Sequence, residues 1–243
     1  MPNWVINDFT ITGIKKDVQR LVSDMTIDGD FKFDFERVLP TPKELLKHNS
    51  PSCIDDLLEY CWRNRISFSN GQVSESSMRS IWFGIMFHIR GTLSEKPEIS
   101  RWIEIYGTSK KKKKAHSTDL KNGKRLYENL AKYDGCLDWY DWRIEHWGTK
   151  WNAAECNAEY YPENGAIDVW FQTAWNMPSA FLSWIAKEYD LNVVGRFADE
   201  DIGENCGTFS ISKDACNIVF LEDDDAVRLA TELWGFEEMD DEE

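Results

Sequence analysis

Tryptophan is concentrated in one stretch of this chain, and that concentration constrains the fold more than any other feature. Seven of the twelve tryptophans lie between residues 138 and 184. They fall within or close to two short phrases, HWGTKWNA at residues 146–153 and FQTAWNMP at residues 171–178. Each buried tryptophan removes a large apolar surface from water. We therefore expect this block to hold a helix against a sheet.

The first 46 residues predict a strand, a helix and a second strand. Residues 4–11 divide into two alternating sets, which is typical of a strand whose two faces lie in different environments. Apolar residues over 14–25 recur at helical spacing. Residues 31–36 alternate phenylalanine with charged residues, so a second strand is predicted before the proline-rich turn at 40–42.

Residues 47–134 have a looser pattern, which we interpret as a mostly helical insertion in one elaborated domain that spans 1–243. Helices are predicted over residues 54–64, 78–90, 98–106 and 124–132. Five consecutive lysines, Lys110 to Lys114, are predicted to lie on a solvated loop. The same lysines could contact a phosphate backbone, but no aromatic residue is interleaved among them.

Residues 135–236 predict an alternation of helices and antiparallel strands. A helix ends at Gly148, and two strands over 154–161 and 166–174 flank an Asn-Gly turn, a strong hairpin signal. The further elements predicted are a helix after Pro178, strands over 191–197 and 208–212 around an acidic turn at 199–207, and a last helix from 223 to Gly235. Residues 237–243 are predicted to form a frayed acidic tail. The fold class is therefore α+β.

Several phrases in the chain resemble the YubB-type family, which is found in plasmids and bacteriophages. They are the start at residues 1–4, the turn at 40–42, the phrases at 147–153 and 171–175, and the glycine-containing turn at 203–207. The resemblance implies a ferredoxin-like antiparallel sheet with helices packed on one face. It implies no catalytic residue, and residues 47–134 carry no signature of the family.

The net charge of −15 is concentrated near the C-terminus. Residues 1–198 hold 27 acidic and 26 basic residues, whereas residues 199–243 hold 16 acidic residues against two basic ones. This imbalance opposes direct nucleic-acid binding and suits a host protein with a basic surface. The residues predicted to bind that partner are Asp199, Glu200, Asp201, Glu204, Glu222, Asp223, Asp224 and Asp225.

An alternative hypothesis places a small-molecule or nucleotide cleft of an enzyme in the tryptophan block. Trp142, Trp147 and Trp151 would form its walls, and His146 and Lys150 would supply a general base and a cation. The competing interpretation is structural, with the rings filling the space between helix and sheet.

A weaker hypothesis concerns metal binding. Asp138, Asp141 and Glu145 lie at i, i+3 and i+7, so their carboxylates could meet at a divalent cation. A solvated acidic stripe has the same sequence. No cofactor is predicted.

Several classes of protein are excluded or disfavoured by what the sequence lacks. The longest apolar run, residues 81–87, is too short for a membrane helix, and the six cysteines form no C-x-x-C pair. No phosphate-loop, dinucleotide, zinc-protease or serine-hydrolase motif occurs. The leading hypothesis is a non-enzymatic phage or plasmid accessory protein in the bacterial cytoplasm, which inhibits a nucleic-acid-handling defence system of the host. The sequence sets no oligomeric state.

Overall fold

The computed structural model describes residues 3–47, 54–86, 99–109 and 117–235. The chain divides into two compact units. The first contains Met1–Pro40 and His146–Glu243, and the second contains Thr41–Glu145. The second unit is thus wider than the insertion predicted at 47–134. The lysine run 110–114 and the tail 237–243 lie outside the described residues.

The helices and strands of the described residues follow one another as a mixture of both kinds. In chain order they are β1 Trp4–Gly13, α1 Lys15–Met25, β2 Thr26–Ile27, β3 Asp30–Phe31, α2 Phe35–Val38, α3 Ile54–Asn64, α4 Glu75–Met86, α5 Ile99–Ser109, α6 Ser117–Lys132, α7 Trp139–Trp147, β4 Ala154–Tyr161, β5 Ala166–Ala174, α8 Ser179–Tyr189, β6 Leu191–Asp199, β7 Gly207–Ile211, β8 Cys216–Phe220 and α9 Asp223–Trp234. Two short 3-10 helices lie at Leu45–Lys47 and Asn70–Gln72.

The first unit is built on a six-stranded sheet with the order β4-β5-β1-β6-β7-β8, in which every neighbouring pair is antiparallel. β1 lies between β5 and β6, with Trp4 opposite Ala174 and Val5 opposite Asp199. The predicted α+β fold with an antiparallel sheet is confirmed. The hairpin strands β4 and β5 have the predicted bounds.

One face of the sheet is covered by α1 and α8 over an aromatic core. The rings of Phe35 and Phe181 stack with centroids 4.0 Å apart, and Phe33 stacks on Phe171 at 5.7 Å. Such pairs add about 0.5–1.5 kcal/mol each to the gain from burial. Two tryptophans of the block pack on this layer, Trp147 against Phe35 at 5.5 Å and Trp184 against Phe181 at 6.4 Å.

The other face of the sheet is partly covered by α9. Ala198 packs with Ala226 and Ala230 of α9, whereas the neighbouring Phe197 contacts Phe209 at a centroid distance of 6.4 Å. Because successive side chains of a strand point to opposite faces, α9 lies on the face opposite the phenylalanine core. Helices thus contact both faces of the sheet, whereas the sequence predicted helices on one face only.

The sequence prediction misses β2 and the first turns of α6, which begins at Ser117 and not at residue 124, and it differs most at residues 31–36 and at β8. The second strand expected over residues 31–36 is only the two-residue β3. Phe35 instead begins the helix α2. The side chain of Asp34 caps this helix by accepting a hydrogen bond from the Glu36 backbone N–H at 2.9 Å. Phe33 and Phe35 are both buried, so their alternation reflects tertiary packing and not a strand. No strand was predicted at β8, whose side chains are mostly exposed.

The second unit contains the helices α3–α6 and the start of α7. α3 packs against α6, where Gly123 allows a close approach: a Cβ there would lie 2.0 Å from the Asp56 carbonyl oxygen. The buried core contains Leu57, Leu58, Cys61, Ile81, Ile103 and Leu126. This unit has its own hydrophobic core. Within the described residues, no helix is both long and apolar enough to cross a bilayer.

Candidate protein-binding site

One end of the sheet collects the two unusual features of the sequence, the tryptophan phrases and the acidic residues. β1 begins at this end, β5 and β6 finish there, and β7 begins there, because Trp4 pairs with Ala174 and Phe197 pairs with Gly207. β8 also finishes there, since Gly207 pairs with Phe220. Antiparallel order thus brings four separate segments of sequence together.

The phrase at 146–153 reaches this end through a turn at Gly148. Gly148 has φ +84°, a left-handed conformation that favours glycine, and ends the helix α7. The next residue, Thr149, is buried and donates its hydroxyl to the Ala174 carbonyl at 2.8 Å. This bond ties the loop to the end of β5 and sets Lys150 and Trp151 beside Trp175.

Lys150 lies between two indole rings. Its Nζ is 3.9 Å from the Trp151 ring centroid and 3.7 Å from the Trp175 ring centroid. Burial lowers the pKa of Lys150. Trp4 packs against Trp151 at a centroid distance of 5.8 Å. Trp151 and Trp175 remain 37% and 38% exposed, so both rings also present surface to solvent.

The acidic loop between β6 and β7 is tied to these tryptophans by Asp199 and Asn205. The Asn205 amide donates to the Trp175 carbonyl at 3.0 Å and to Asp199 Oδ2 at 3.3 Å. Asp199 also accepts from the Asn3 amide at 3.4 Å and from the Asp201 backbone N–H at 3.0 Å. Asp199 is only 5% exposed. The prediction that Asp199 contacts a partner is therefore wrong: its carboxylate holds the loop in place.

The other acidic cluster lies at the start of α9 and adjoins the same loop. The Leu221 N–H donates to the Cys206 carbonyl at 3.0 Å, and a Cβ on Gly203 would lie 3.2 Å from Val227 of α9. Two apolar side chains, Ile202 and Val227, are 37% and 45% exposed there. The two clusters thus form one continuous surface.

We call this surface the acidic sheet end. It combines seven exposed carboxylates with four exposed apolar side chains, and it is defined by Glu200, Asp201, Glu204, Glu222, Asp223, Asp224 and Asp225 together with Trp151, Trp175, Ile202 and Val227. Seven of the eight predicted partner-binding residues therefore lie on it. Sequence reasoning did not associate Trp175, Ile202 or Val227 with these carboxylates, because the association depends on strand order.

The ligand cleft predicted in the tryptophan block is not formed as expected. Trp147 has no exposed surface; its indole N–H donates to the Leu39 carbonyl at 3.0 Å, and its ring packs edge-on against Phe35. Trp142 is 5% exposed and belongs to the second unit. Trp147 therefore cannot line a cleft, and the structural interpretation holds for it. Of the predicted cleft residues, Lys150 and Trp151 do meet, but on the surface, while His146 is half-buried at the end of α7.

The three carboxylates considered for a metal site do not share one environment. Asp138 and Asp141 are 5% and 1% exposed, whereas Glu145 is exposed. Asp141 accepts from the hydroxyls of Ser77 and Ser80, each at 2.8 Å. In the described parts of the chain, no group of three His, Cys, Asp or Glu side chains is placed to hold an ion. Because Asp138 and Asp141 are buried, the interpretation as a solvated acidic stripe is wrong for these two residues.

Asp141 has an unusual protonation equilibrium. Burial, with a smaller contribution from the nearby Asp138 charge, raises the pKa of Asp141 to about 7, although the serine hydroxyls oppose this. Asp138 Oδ1 accepts the backbone N–H groups of Tyr140 and Asp141 at 2.9 and 3.1 Å, so it caps α7. These carboxylates organise the start of a helix in the second unit.

A groove of about 660 Å³ lies on the sheet face that α9 leaves partly uncovered. Its polar groups already satisfy one another: Arg196 Nε is 3.1 Å from Asp8 Oδ2, and the Thr10 hydroxyl donates to Asp168 at 2.7 Å. Arg196 also bonds Glu232 of α9 at 2.7 Å. This internal pairing makes the groove a weaker candidate than the acidic sheet end.

Comparison with known proteins supports the fold of the C-terminal part. Residues 146–242 match a family model described as a ferredoxin-like domain in Api92-like protein, which confirms the predicted ferredoxin-like domain. A crystal structure of a protein Api92 from Yersinia pseudotuberculosis is similar with a TM-score of 0.40 and 10% sequence identity, covering 92% of this chain and 100% of that chain. Comparison with curated proteins gave no match. The YubB-type resemblance stays a prediction.

Proposed function

We propose that this chain, which carries a ferredoxin-like domain like that of Api92-like proteins, is a non-enzymatic binding protein. Its acidic sheet end would dock on a basic surface of a partner protein. The observation that carries the proposal is the placement of two half-exposed tryptophans, Trp151 and Trp175, among seven exposed carboxylates.

The two kinds of side chain on this surface suit the two parts of a protein interface. Tryptophan is enriched among the residues that dominate binding energy, because a large ring loses contact with water on docking. Trp151 and Trp175 already pack around Lys150 before docking, which lowers the conformational entropy that their burial would cost. The surrounding carboxylates speed association with a basic partner and exclude acidic ones.

The same surface also suits the biological role that we propose from the sequence. A surface rich in carboxylates competes with DNA or RNA for a basic groove, since both present closely spaced negative charge. This supports the role of a phage or plasmid accessory protein that inhibits a host system acting on nucleic acids. The partner would then be a host protein whose nucleic-acid site is basic.

The test compares two matched pairs of substitutions. Glu200→Gln with Glu204→Gln removes two charges from the acidic sheet end. Glu163→Gln with Glu188→Gln removes two charges from the opposite end, where the β4–β5 turn and the end of α8 lie. Partners captured from a bacterial lysate are identified by mass spectrometry and purified, and their affinity for each variant is measured.

We expect the first pair to weaken binding by about tenfold, which corresponds to about 1.4 kcal/mol, and the second pair to leave it unchanged. Trp151→Ala should weaken binding without changing its dependence on salt, because the ring contributes contact and not charge. Added DNA or RNA should compete with the chain for the partner. Equal affinities for both pairs of variants would contradict the proposal.

A further inference from the structure

The two edges of the sheet differ in how they are protected. Edge strands present unpaired backbone groups, and proteins usually blunt them with charges, bulges or prolines. β4 has such protection: its register shifts between Ala154 and Asn157, Glu155 has φ 48°, and both Glu155 and Glu159 are charged. β8 has none of these features. Its sequence, CNIVF, has no charge and no proline, and its pairing with β7 is regular.

The pairing of β8 with β7 determines which backbone N–H and C=O groups of β8 point away from the sheet. Leu221 N–H donates to Cys206 O and Ser212 N–H donates to Ala215 O, both in register with the β7–β8 ladder. In an antiparallel ladder, residues with groups directed at the partner alternate with residues whose groups point away. Cys216, Ile218 and Phe220 therefore direct their N–H and C=O groups away from β7. Of the strands in the described ranges, β7 is the one that pairs with β8.

The side chains around this edge show what it would accept. Val219 and Phe220 are 57% and 62% exposed and lie on opposite faces of the strand, so each face offers an apolar contact. Glu222 and Asp223–Asp225 follow β8 directly, and Asp214 precedes it. The nearby Lys213 is paired with Asp190 at 2.8 Å. The edge is thus uncharged along its length, with exposed apolar side chains at Val219 and Phe220, and acidic at both ends.

We propose that β8 is a docking edge that accepts an extended segment of the partner, carrying alternating apolar and basic residues, as a seventh strand. This inference rests on the proposed function, because it names the part of the basic partner that the chain binds. Main-chain hydrogen bonds to Cys216, Ile218 and Phe220 would supply affinity, as in other cases of strand addition. The flanking carboxylates would select basic residues at the ends of the added strand.

Charge also favours a basic segment over a second copy of this chain. Antiparallel self-pairing centred on Ile218 would set Asp214 of one copy opposite Glu222 of the other, and like charges directly opposite are destabilising. A basic segment meets opposite charge at the same positions.

The probe is a short peptide of alternating lysine and valine with blocked ends, and alkylation of Cys216 reports its binding. Cys216 is exposed on the edge itself, so an added strand should slow its reaction with iodoacetamide. Two control peptides separate charge from backbone pairing. One has glutamate in place of lysine, and the other is N-methylated at alternate residues, which removes the donors that an added strand needs. We expect neither control to protect Cys216.

The matched variants are Ile218→Pro and Ile218→Thr. Proline removes the outward N–H and is tolerated on edge strands, whereas threonine keeps the N–H and suits a strand. We expect the affinity of the lysine-valine peptide to fall by at least about tenfold in Ile218→Pro and to be kept in Ile218→Thr. If Ile218→Pro does not fold, the N-methylated peptide on the unmodified chain makes the same comparison.

Equal protection by the N-methylated peptide, or unchanged affinity in Ile218→Pro, would overturn strand addition. If Glu200→Gln with Glu204→Gln still weakens binding of the protein partner in that case, the proposed function stands without the edge. A β8-dependent dimer in sedimentation, lost in Ile218→Pro, would assign the edge to a second copy and would equally overturn the proposal.

Discussion

The ammonium nitrogen of Lys150 lies 3.7 Å from the centre of the Trp175 ring. These residues come from the two tryptophan phrases, which are separated in sequence by the hairpin β4–β5. Their contact lies at the open end of the hairpin, away from its turn. The acidic loop is joined to the same end by the hydrogen bond from the Asn205 amide to the Trp175 carbonyl. The tryptophan block therefore has two roles: Trp147 fills the core, while Trp151 and Trp175 shape a surface.

The first prediction concerns the cation between the two rings. Lys150→Met keeps the length of the side chain but removes its charge, so the cation–π contacts with Trp151 and Trp175 are lost. We expect the free energy of unfolding to fall by about 0.5–1 kcal/mol, because the site is partly exposed. Urea denaturation measures the change. Lys187→Met, at an exposed position of α8, is the control, and equal midpoints for the two variants would contradict the assignment.

The second prediction separates Asp199 from its exposed neighbour. Asp199→Ala leaves the Asp201 N–H without its acceptor and removes one of the two acceptors of the Asn3 amide and of the Asn205 amide. We expect a loss of about 1–3 kcal/mol in unfolding free energy and faster proteolysis within residues 200–206. Glu200→Ala, one residue on, should change neither quantity. A partner-contact role for Asp199 alone would instead lower affinity and leave stability unchanged.

Local signals explain which parts of the fold could be predicted. The β4–β5 hairpin was predicted with its observed bounds because alternation and an Asn-Gly turn act over a few residues. The segment 31–36 was predicted wrongly because Phe33 and Phe35 alternate for a tertiary reason, packing on Phe171 and Phe181. β8 carried no signal, since a strand exposed on both faces needs no alternation.

The candidate site shows the same division. Charge counting alone located the acidic residues, because composition does not depend on the fold. Their association with Trp151 and Trp175 depends on the strand order, which places β1 between β5 and β6. The burial of Asp199 also depends on long-range partners, since Asn3 lies at the other end of the chain. No local pattern encodes contacts of this kind.

The third prediction concerns pH. The pKa of Asp141 is raised to about 7 in the folded protein from an ordinary value of 3.8, so the folded state binds a proton that the unfolded chain releases in that window. The contribution of this group to the free energy of unfolding is therefore complete below about pH 4 and is lost as the pH rises through about 7. The loss is at most about 1.4 kcal/mol per pH unit.

Asp141→Asn tests this linkage, because asparagine is close to isosteric and does not titrate. We expect the variant to gain stability relative to the unmodified protein between pH 4 and pH 7, as measured by urea denaturation of the full chain at several pH values. Glu145→Gln, at an exposed position of the same helix, should leave the pH profile unchanged. Parallel profiles for Asp141→Asn and the unmodified protein would show that Asp141 is ionised throughout.

The last prediction ranks the reactivity of the thiols and checks the exposure of β8. Burial raises the pKa of Cys61 and of Cys136 to about 12, and Cys206 is also buried with a raised pKa. The thiolate is the reactive form, so these three cysteines should react with iodoacetamide only when the protein unfolds. Cys156 is exposed as a residue, but its thiol donates to the Phe33 carbonyl at 3.7 Å. Partial burial of the thiol raises its pKa, so Cys156 should react slowly.

Cys216 should react first, because it is exposed on the unprotected edge of the sheet. Peptide mapping by mass spectrometry over a time course gives the order, in a Cys53→Ser background because Cys53 lies outside the described residues. Labelling of Cys216 as slow as that of Cys206 would mean that another segment covers β8. Since the proposed docking of a basic strand requires this edge to be open, the rate at Cys216 decides whether β8 can receive a partner at all.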